Sequence, residues 1–335
     1  MLQHPILLIG GAGVVGRETA RFLRTAHPDI SLLIGGRDLA KAQKAAAEIG
    51  NAEGVTIDLE ASDLGLGDRP LSAIALYFTD TTTAALRFAQ AQGLPYISIS
   101  PAIYEVGPDV AAYMHAPDTA AVVLGTEWLV GATTIPALEF AKAFGRLDAI
   151  RIGALLDEQD EGGPASLDDL ERQTQAIPAV QMRQNGRWVW RTGDDLKGEF
   201  RAADGTPMKA SALSPHDVIG LATATGAPDV EFYLAIGESS SRRRGEPMSS
   251  EILIELSGED HAGQPLHTRH AVVHAKGQMP LTGLGVALVL ERLTGLDGKP
   301  ATTPGLYFPY QLLDSQRYFE RFRKAGGEIL ELQAR

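Results

Sequence analysis

The stretch LLIGGAGVVG, Leu7 to Gly16, joins an apolar run to a glycine turn and the turn to a helix. Ile6 to Ile9 is short, wholly apolar and bounded by glycine, the pattern of a central parallel strand buried on both faces. Gly11-Ala12-Gly13-Val14-Val15-Gly16 spells G-x-G-x-x-G. Val15, Thr19, Phe22, Leu23 and Ala26 then share one helical stripe, Pro28 closes the segment, and Ile30 to Ile34 reads as the next strand. Strand, turn, helix and strand in this order predict the first repeat of a doubly wound parallel α/β sheet.

Each glycine has its own task in such a turn. Gly11 tightens it, Gly13 lets a pyrophosphate approach bare backbone, and Gly16 lets the helix pack closely on the strand. Unpaired N–H groups and a partial positive charge at the helix N-terminus complete an anion cradle. Gly11, Ala12, Gly13, Val14 and Val15 are thus expected to hold a dinucleotide. A fold of this kind that takes NAD usually carries Asp or Glu about 20 residues further on, for the ribose 2′-OH. Here a near-copy of the opening, LLIGGRD from Leu32 to Asp38, places Gly36 there and Arg37 next. A carboxylate repels a 2′-phosphate, whereas Arg37 can pair with one through a charge-assisted fork, so NADP (NADPH) is the expected cofactor. A second reading makes Arg37 a solvent-facing residue stacked on adenine. Asp38 is placed to cap the next helix, Leu39 to Ile49, with Gly50 as its stop.

Val55 to Asp58 is expected as a third strand, and Asp58 either approaches the adenine edge or simply starts a loop. Ser72 to Phe78 is a fourth, with Tyr77, Phe78 and Thr79 expected at the nicotinamide half of the crevice. Tyr96 to Ser100 and Ala121 to Gly125 are the fifth and sixth.

The chain has 335 residues, enough for two domains, and a net charge of −12. That balance lacks the basic footprint of general nucleic-acid binding. With no cysteine, disulfides, thiolate chemistry and Cys-ligated zinc are excluded. The N-terminal apolar run is too short for a signal peptide and no run approaches a membrane span, so a cytoplasmic protein without a membrane partner is expected.

Several segments resemble the saccharopine dehydrogenase-like family: GGAGVVG (Gly10–Gly16), GGRDLAKAQ (Gly35–Gln43), GLPYISIS (Gly93–Ser100), LGTEWLVGATTIPAL (Leu124–Leu138) and GLYFPYQLLDSQRYFERFRKAGGEIL (Gly305–Leu330). The resemblance departs from the family pattern where Ser98 replaces an aspartate, Val130 a proline and Tyr310 a glutamate, while Ser100 and Gly131 persist. It implies an N-terminal Rossmann domain with NADP and a second α+β domain that carries substrate and pairs subunits into a homodimer.

The second half reads as mostly antiparallel strands with a few helices. Asn185-Gly186 signals a hairpin in Val180 to Trp190, and Asp204-Gly205 another. Ser214-Pro215 reads as an N-cap and first-turn proline of a helix ending at Thr225. The expected division is 1–130 for the NADP-binding domain, 131–305 for an α+β domain with a mixed sheet, and 306–335 for a segment whose helix, Ser315 to Ala325, returns to the first domain.

Catalytic candidates are few. Glu127 and Trp128 stand at the exit of the sixth strand, where Trp128 either walls the nicotinamide or packs in a hinge. Tyr104, like Glu105, is either a proton donor or loop decoration; no Tyr-x-x-x-Lys pair accompanies it. Arg242-Arg243-Arg244 and the acid cluster Asp157 to Glu161 each read as a ligand site or a solvated loop. His267, His270 and His274 do not read as a metal set, because strand positions four apart lie ~13 Å apart; no metal is expected. Together with the resemblance, these residues imply an NADP-dependent oxidoreductase that moves hydride at a C–N centre of a small amino-acid-derived substrate. Reduction of C=C in a lipid-like substrate, and a non-catalytic NADP-binding regulator, are the alternatives.

Overall fold

The computed structural model describes residues 4–99, 101–160, 162, 172 and 178–333. Ser100 and Glu161, named above, lie outside them. The chain forms two compact units, Met1–Thr126 with Thr282–Leu313 and Glu127–Leu281 with Asp314–Arg335.

The first unit is built on seven strands: β1 (Ile6–Ile9), β2 (Leu32–Gly36), β3 (Ala52–Thr56), β4 (Ala73–Leu76), β5 (Tyr96–Ser98), β6 (Ala121–Leu124) and β15 (Gly305–Tyr307). All pair in parallel, in the order β15-β6-β5-β4-β1-β2-β3. This is the expected doubly wound sheet. Helices α1 (Val14–Ala26), α2 (Leu39–Ile49), α3 (Ala84–Gln92) and α4 (Gly107–His115) connect its strands. Every residue of β1 and β4 is buried, which explains why neither alternates in polarity. Leu7, Ile9, Ile74 and Leu76 pack with Leu86, Phe88 and Tyr96 in one core. α2 lies so near β3 that a Cβ on Gly54 would sit 2.6 Å from Ala42 and Gln43 backbone atoms.

The second unit carries a mixed sheet. Its strands are β7 (Phe144–Asp157), β8 (Ala179–Gln184), β9 (Arg187–Thr192), β10 (Lys197–Arg201), β11 (Pro207–Ala212), β12 (Asp229–Gly237), β13 (Ser250–Asp260), β14 (Pro265–His274) and β16 (Gly327–Leu332). Their order is β10-β11-β12-β7-β13-β14-β16, with β8 on β12 and β9 on β8; among these pairs only β7 with β12 is parallel. Asn185 (φ 50°) and Gly186 (φ 74°) make the expected positive-φ hairpin turn. Register aligns Glu231, Arg151, Glu255 and Arg269 across four adjacent strands. One alternating row of charge therefore crosses the sheet, and its members neutralise one another. A shallow cleft of about 320 Å³ opens beside that row, lined in part by Arg151, Arg201, Glu255 and His267. Phe200 covers the neighbouring apolar row, its ring so close to Gly153 that a Cβ there would meet Cγ at 2.5 Å.

Three expectations need correction. The division of the chain differs from 131–305 and 306–335. The segment that joins the first unit is Thr282–Leu313, whose β15 extends the parallel sheet beside β6. The helix Ser315–Lys324 stays in the second unit with β16, because β16 finds an open antiparallel edge on β14. The third strand runs Ala52–Thr56 rather than 55–58, leaving Asp58 in the loop beyond it. The helix after Ser214 is His216–Thr225, with Pro215 at its N-cap; Ser214 is no cap, since its hydroxyl donates to the Gln181 carbonyl at 2.9 Å.

Candidate functional site

In the first unit β1 has β2 on one side and β4 on the other, so the strand order reverses there and a crevice opens beyond the strand ends. Gly10 to Gly16 and Tyr77 to Thr79 follow those two ends. The loop is tied to the sheet by Gly10 N–H, which donates to Gly35 O at 2.8 Å, and turns through Gly13 N–H to Gly10 O at 2.9 Å. A Cβ on Gly16 would lie 2.5 Å from the Gly11 Cα, and one on Gly11 would lie 2.7 Å from Leu8 O. Both glycines are therefore demanded by the chain's own packing. Gly13 caps α1 in extended conformation without a side-chain hydrogen bond, and the first turn carries no acid. Gly13 and Val14 are exposed, Ala12 and Val15 half-buried. The α1 N-terminus is thus open to an anion. Arg17 donates to Ala12 O at 3.1 Å and pairs with Glu48, which braces the loop against α2.

Phe78 and Thr79 lie just past β4, which ends at Leu76, and both are half-buried. The Phe78 ring faces the loop: a Cβ on Gly10 would sit 3.3 Å from its Cδ1. At the end of β2, Gly36 has no atom within 4 Å of a built Cβ. Arg37 is exposed and has no side-chain partner among the described residues. Asp38 caps α2, accepting from Lys41 N–H at 3.0 Å. Asp38→Ala is accordingly expected to cost ~1 kcal/mol in urea unfolding while leaving nucleotide preference unchanged. Asp58 spends Oδ1 on the Glu60 N–H at 2.9 Å, an Asx turn that starts the loop. Tyr104 is half-buried in the loop after β5, and neighbouring Glu105 folds back to accept from Ala102 N–H at 2.9 Å.

Glu127 and Trp128 belong to the second unit. Glu127 is buried at 3% exposure and accepts from the Thr134 hydroxyl at 2.8 Å, at the start of α5 (Thr134–Ala141). The Trp128 ring packs on Phe232 with centroids 5.5 Å apart, and the Trp128 backbone N–H donates to Asp217 Oδ2 at 2.5 Å. The next three residues, Leu129, Val130 and Gly131, hold φ of 52°, 55° and 90°. For leucine and β-branched valine this conformation costs of order 1–3 kcal/mol each. Asp217 is fully buried, and burial raises its pKa to about 7 against the Trp128 N–H bond that lowers it. His216 and Tyr318 are buried as well, and burial next to the Glu127 charge lifts the Tyr318 phenol above its ordinary range.

Sequence reasoning missed Asp217 and Tyr318. A signal for Asp217 was present: it shares the apolar stripe of its helix with Leu221, four residues on.

The remaining candidates have partners within the chain. Arg242 donates to Asp157 at 2.8 Å and Glu158 at 3.1 Å, tying the basic triplet to the acid cluster through its first member. Arg243 pairs with Asp204, Arg244 with Glu246, and Asp160 accepts from the Gln278 N–H that opens the long helix Gln278–Thr294. His270 stacks on Phe140 at 3.8 Å and His274 bonds Ala325 O at 3.1 Å, two separate environments on β14. Among the described residues no helix is long and apolar enough to cross a membrane.

A parallel unit with an open glycine turn at its switch point, joined to a mixed-sheet unit, defines the two-domain α/β dehydrogenase fold. Its fold is similar to that of saccharopine dehydrogenase-like structures. It is similar to saccharopine dehydrogenase (L-Glu forming) from Saccharomyces cerevisiae, with TM-score 0.63 and 14% identity over 98% of this chain and 100% of that one. It is similar to homospermidine synthase from Legionella pneumophila, solved in complex with NAD, with TM-score 0.65 and 10% identity over 99% and 92%. An amine dehydrogenase from Mycobacterium smegmatis gives TM-score 0.51 and 12% identity over 93% and 97%. No protein-family model matches the chain, and no curated protein does.

Proposed function

We propose that the chain is an NADP-dependent oxidoreductase that moves hydride at a C–N centre of a small amino-acid-derived molecule. The observation that carries the cofactor is the open end of β2: Gly36 leaves space that the chain does not fill, beside an Arg37 without a partner. When bound, the dinucleotide supplies or accepts the hydride. The residues of this chain do the holding. The α1 N-terminus and Gly13 receive the pyrophosphate, Arg37 pairs with the 2′-phosphate, and Phe78 and Thr79 flank the far half of the crevice. The C–N assignment is supported by the fold shared with saccharopine dehydrogenase and an amine dehydrogenase. It is supported also by the character of the buried cluster around Trp128. Glu127, His216, Asp217 and Tyr318 make that cluster polar and titratable, a poor match to a lipid-like C=C substrate. We read the protein as a cytoplasmic homodimer with a small-molecule substrate.

Titration of the protein with NADPH and NADH, followed by nucleotide fluorescence, tests the reading. Arg37→Ala is expected to weaken NADPH by about 10–100-fold, the worth of one charged hydrogen-bonded pair, and to leave NADH unchanged. Gly36→Asp is expected to reverse the preference, since its carboxylate would face the 2′-phosphate. Equal losses for both nucleotides would remove Arg37 from the site, and binding of neither would remove the oxidoreductase reading.

A further inference from the structure

The turn from Trp128 to Gly131 is bent through three consecutive left-handed residues, and only the last is glycine. Such a turn persists only where its surroundings over-determine it. Two buried carboxylates hold it. Glu127 lies against it, with Oε2 3.6 Å from a Cβ built on Gly131 and 2.8 Å from the Thr134 hydroxyl. Asp217, on the helix His216–Thr225, takes the Trp128 backbone N–H at 2.5 Å, and the Thr133 side chain beside the same carboxyl favours its charged form. The Trp128 indole N–H is buried without a partner.

We propose that Asp217 is a positioning residue, a proton-responsive clasp whose ionised carboxylate fastens the Trp128 amide and so sets the strained turn and the Trp128 ring. A hydrogen bond to an ionised carboxylate is about twice as strong as one to a neutral acceptor. Protonation therefore loosens the clasp while the backbone strain at Leu129 and Val130 stays. The buried titratable groups nearby in the chain are His216, next to Asp217 on its helix, and Glu127, next to Trp128 on the turn, whose charge reaches Tyr318 on the helix Ser315–Lys324. Burial brings Asp217 to about 7, so the clasp responds across neutral pH. Trp128 is then a side chain whose placement reports proton concentration, a property beyond the cofactor and substrate reading and independent of it.

The test uses the full chain without nucleotide. Trp188 and Trp190 are exposed, at 42% and 54%, and among three tryptophans Trp188→Phe/Trp190→Phe leaves Trp128 as sole emitter. Its emission maximum should shift to the red as pH falls from 9 to 5, with a midpoint near 7. Asp217→Asn should abolish the shift. Val130→Gly, which relieves the turn, should abolish it too and serves if the Asn variant fails to fold. A flat emission in the double-Phe protein overturns the proposal. So does a shift that survives Asp217→Asn, which would pass the response to His216, or one that survives Val130→Gly. Nucleotide binding enters none of these outcomes, so a failed NADPH titration bears on the proposed function alone.

Discussion

Gly16→Val is expected to destabilise the first unit strongly and to weaken dinucleotide binding with it. A Cβ at this position falls 2.5 Å from the Gly11 Cα and 2.9 Å from its carbonyl carbon and oxygen. These are backbone atoms, held by the Gly10 N–H to Gly35 O and Gly11 N–H to Leu8 O bonds. No rotamer change relieves the clash, so α1 must move off β1 and uncover Leu23 and Ala20, both fully buried. Overpacking a core typically costs 1–3 kcal/mol; against rigid backbone about 3 kcal/mol or more is expected, from a total of roughly 5–15 kcal/mol for a native domain. The urea midpoint should fall accordingly. Gly36→Ala is the matched control. With no atom within 4 Å, it should leave stability within ~0.5 kcal/mol. A Gly16→Val protein with the wild-type midpoint would mean that the turn is not built as described.

Asp217→Asn is expected to gain stability relative to wild type as pH rises from 5 to about 7 and to keep that gain at pH 9. The carboxyl of Asp217 titrates at about 7 in the folded chain, well above its ordinary 3.8, because burial penalises the charge. Between these two values the folded state holds a proton that the unfolded state has lost, so wild-type stability falls as pH climbs through that window. Three units correspond to an upper bound on the order of 4 kcal/mol, of which the step from pH 5 to pH 9 reads about two units, ~3 kcal/mol. Asn cannot ionise and escapes the loss, while its side-chain carbonyl still accepts from the Trp128 N–H. Urea unfolding of both proteins at pH 5 and pH 9 gives the answer as a difference of differences. A constant gap between them would mean that Asp217 is ionised throughout.

The wild-type chain thus keeps a group that weakens its fold above neutral pH, in contact with the most strained turn of the second unit. Natural proteins retain such combinations where geometry is worth more than stability.

The first unit was legible because its information is local. Leu7 to Gly16 states strand, turn and helix in ten residues, and the glycine spacing leaves few other readings. The Asn185-Gly186 hairpin was equally plain, as two residues at positive φ need such a pair. Strand ends were less exact: β4 stops at Leu76, although the apolar run continues through Tyr77 and Phe78, which turn to pack over Gly10. The second unit's cluster was obscured for a different reason. Trp128 and Asp217 stand 89 positions apart, and no period or motif links them; only packing brings the amide to the carboxylate. The C-terminal segment misled because Gly305–Tyr307 and Ser315–Lys324 are near neighbours in sequence but belong to different units. Each goes where a sheet edge or helix face still lacks a cover, and which faces lack one is a property of the finished layers.

That chain path has a consequence for synthesis on the ribosome. β15 pairs Leu306 with Val122, so the first sheet is finished only after the whole of Glu127–Leu281 has been made. Until then β6 is an open edge, with unpaired N–H and C=O groups ready to take a strand from another nascent chain. Closing a loop of this length adds little free energy over a short one, because the entropic term grows only logarithmically. What it adds is waiting time. A chain interrupted before residue 305 would hold nearly the full nucleotide-binding crevice and still expose an aggregation-prone edge. The last 31 residues therefore act as a seal on two sheets at once, β15 on β6 and β16 on β14.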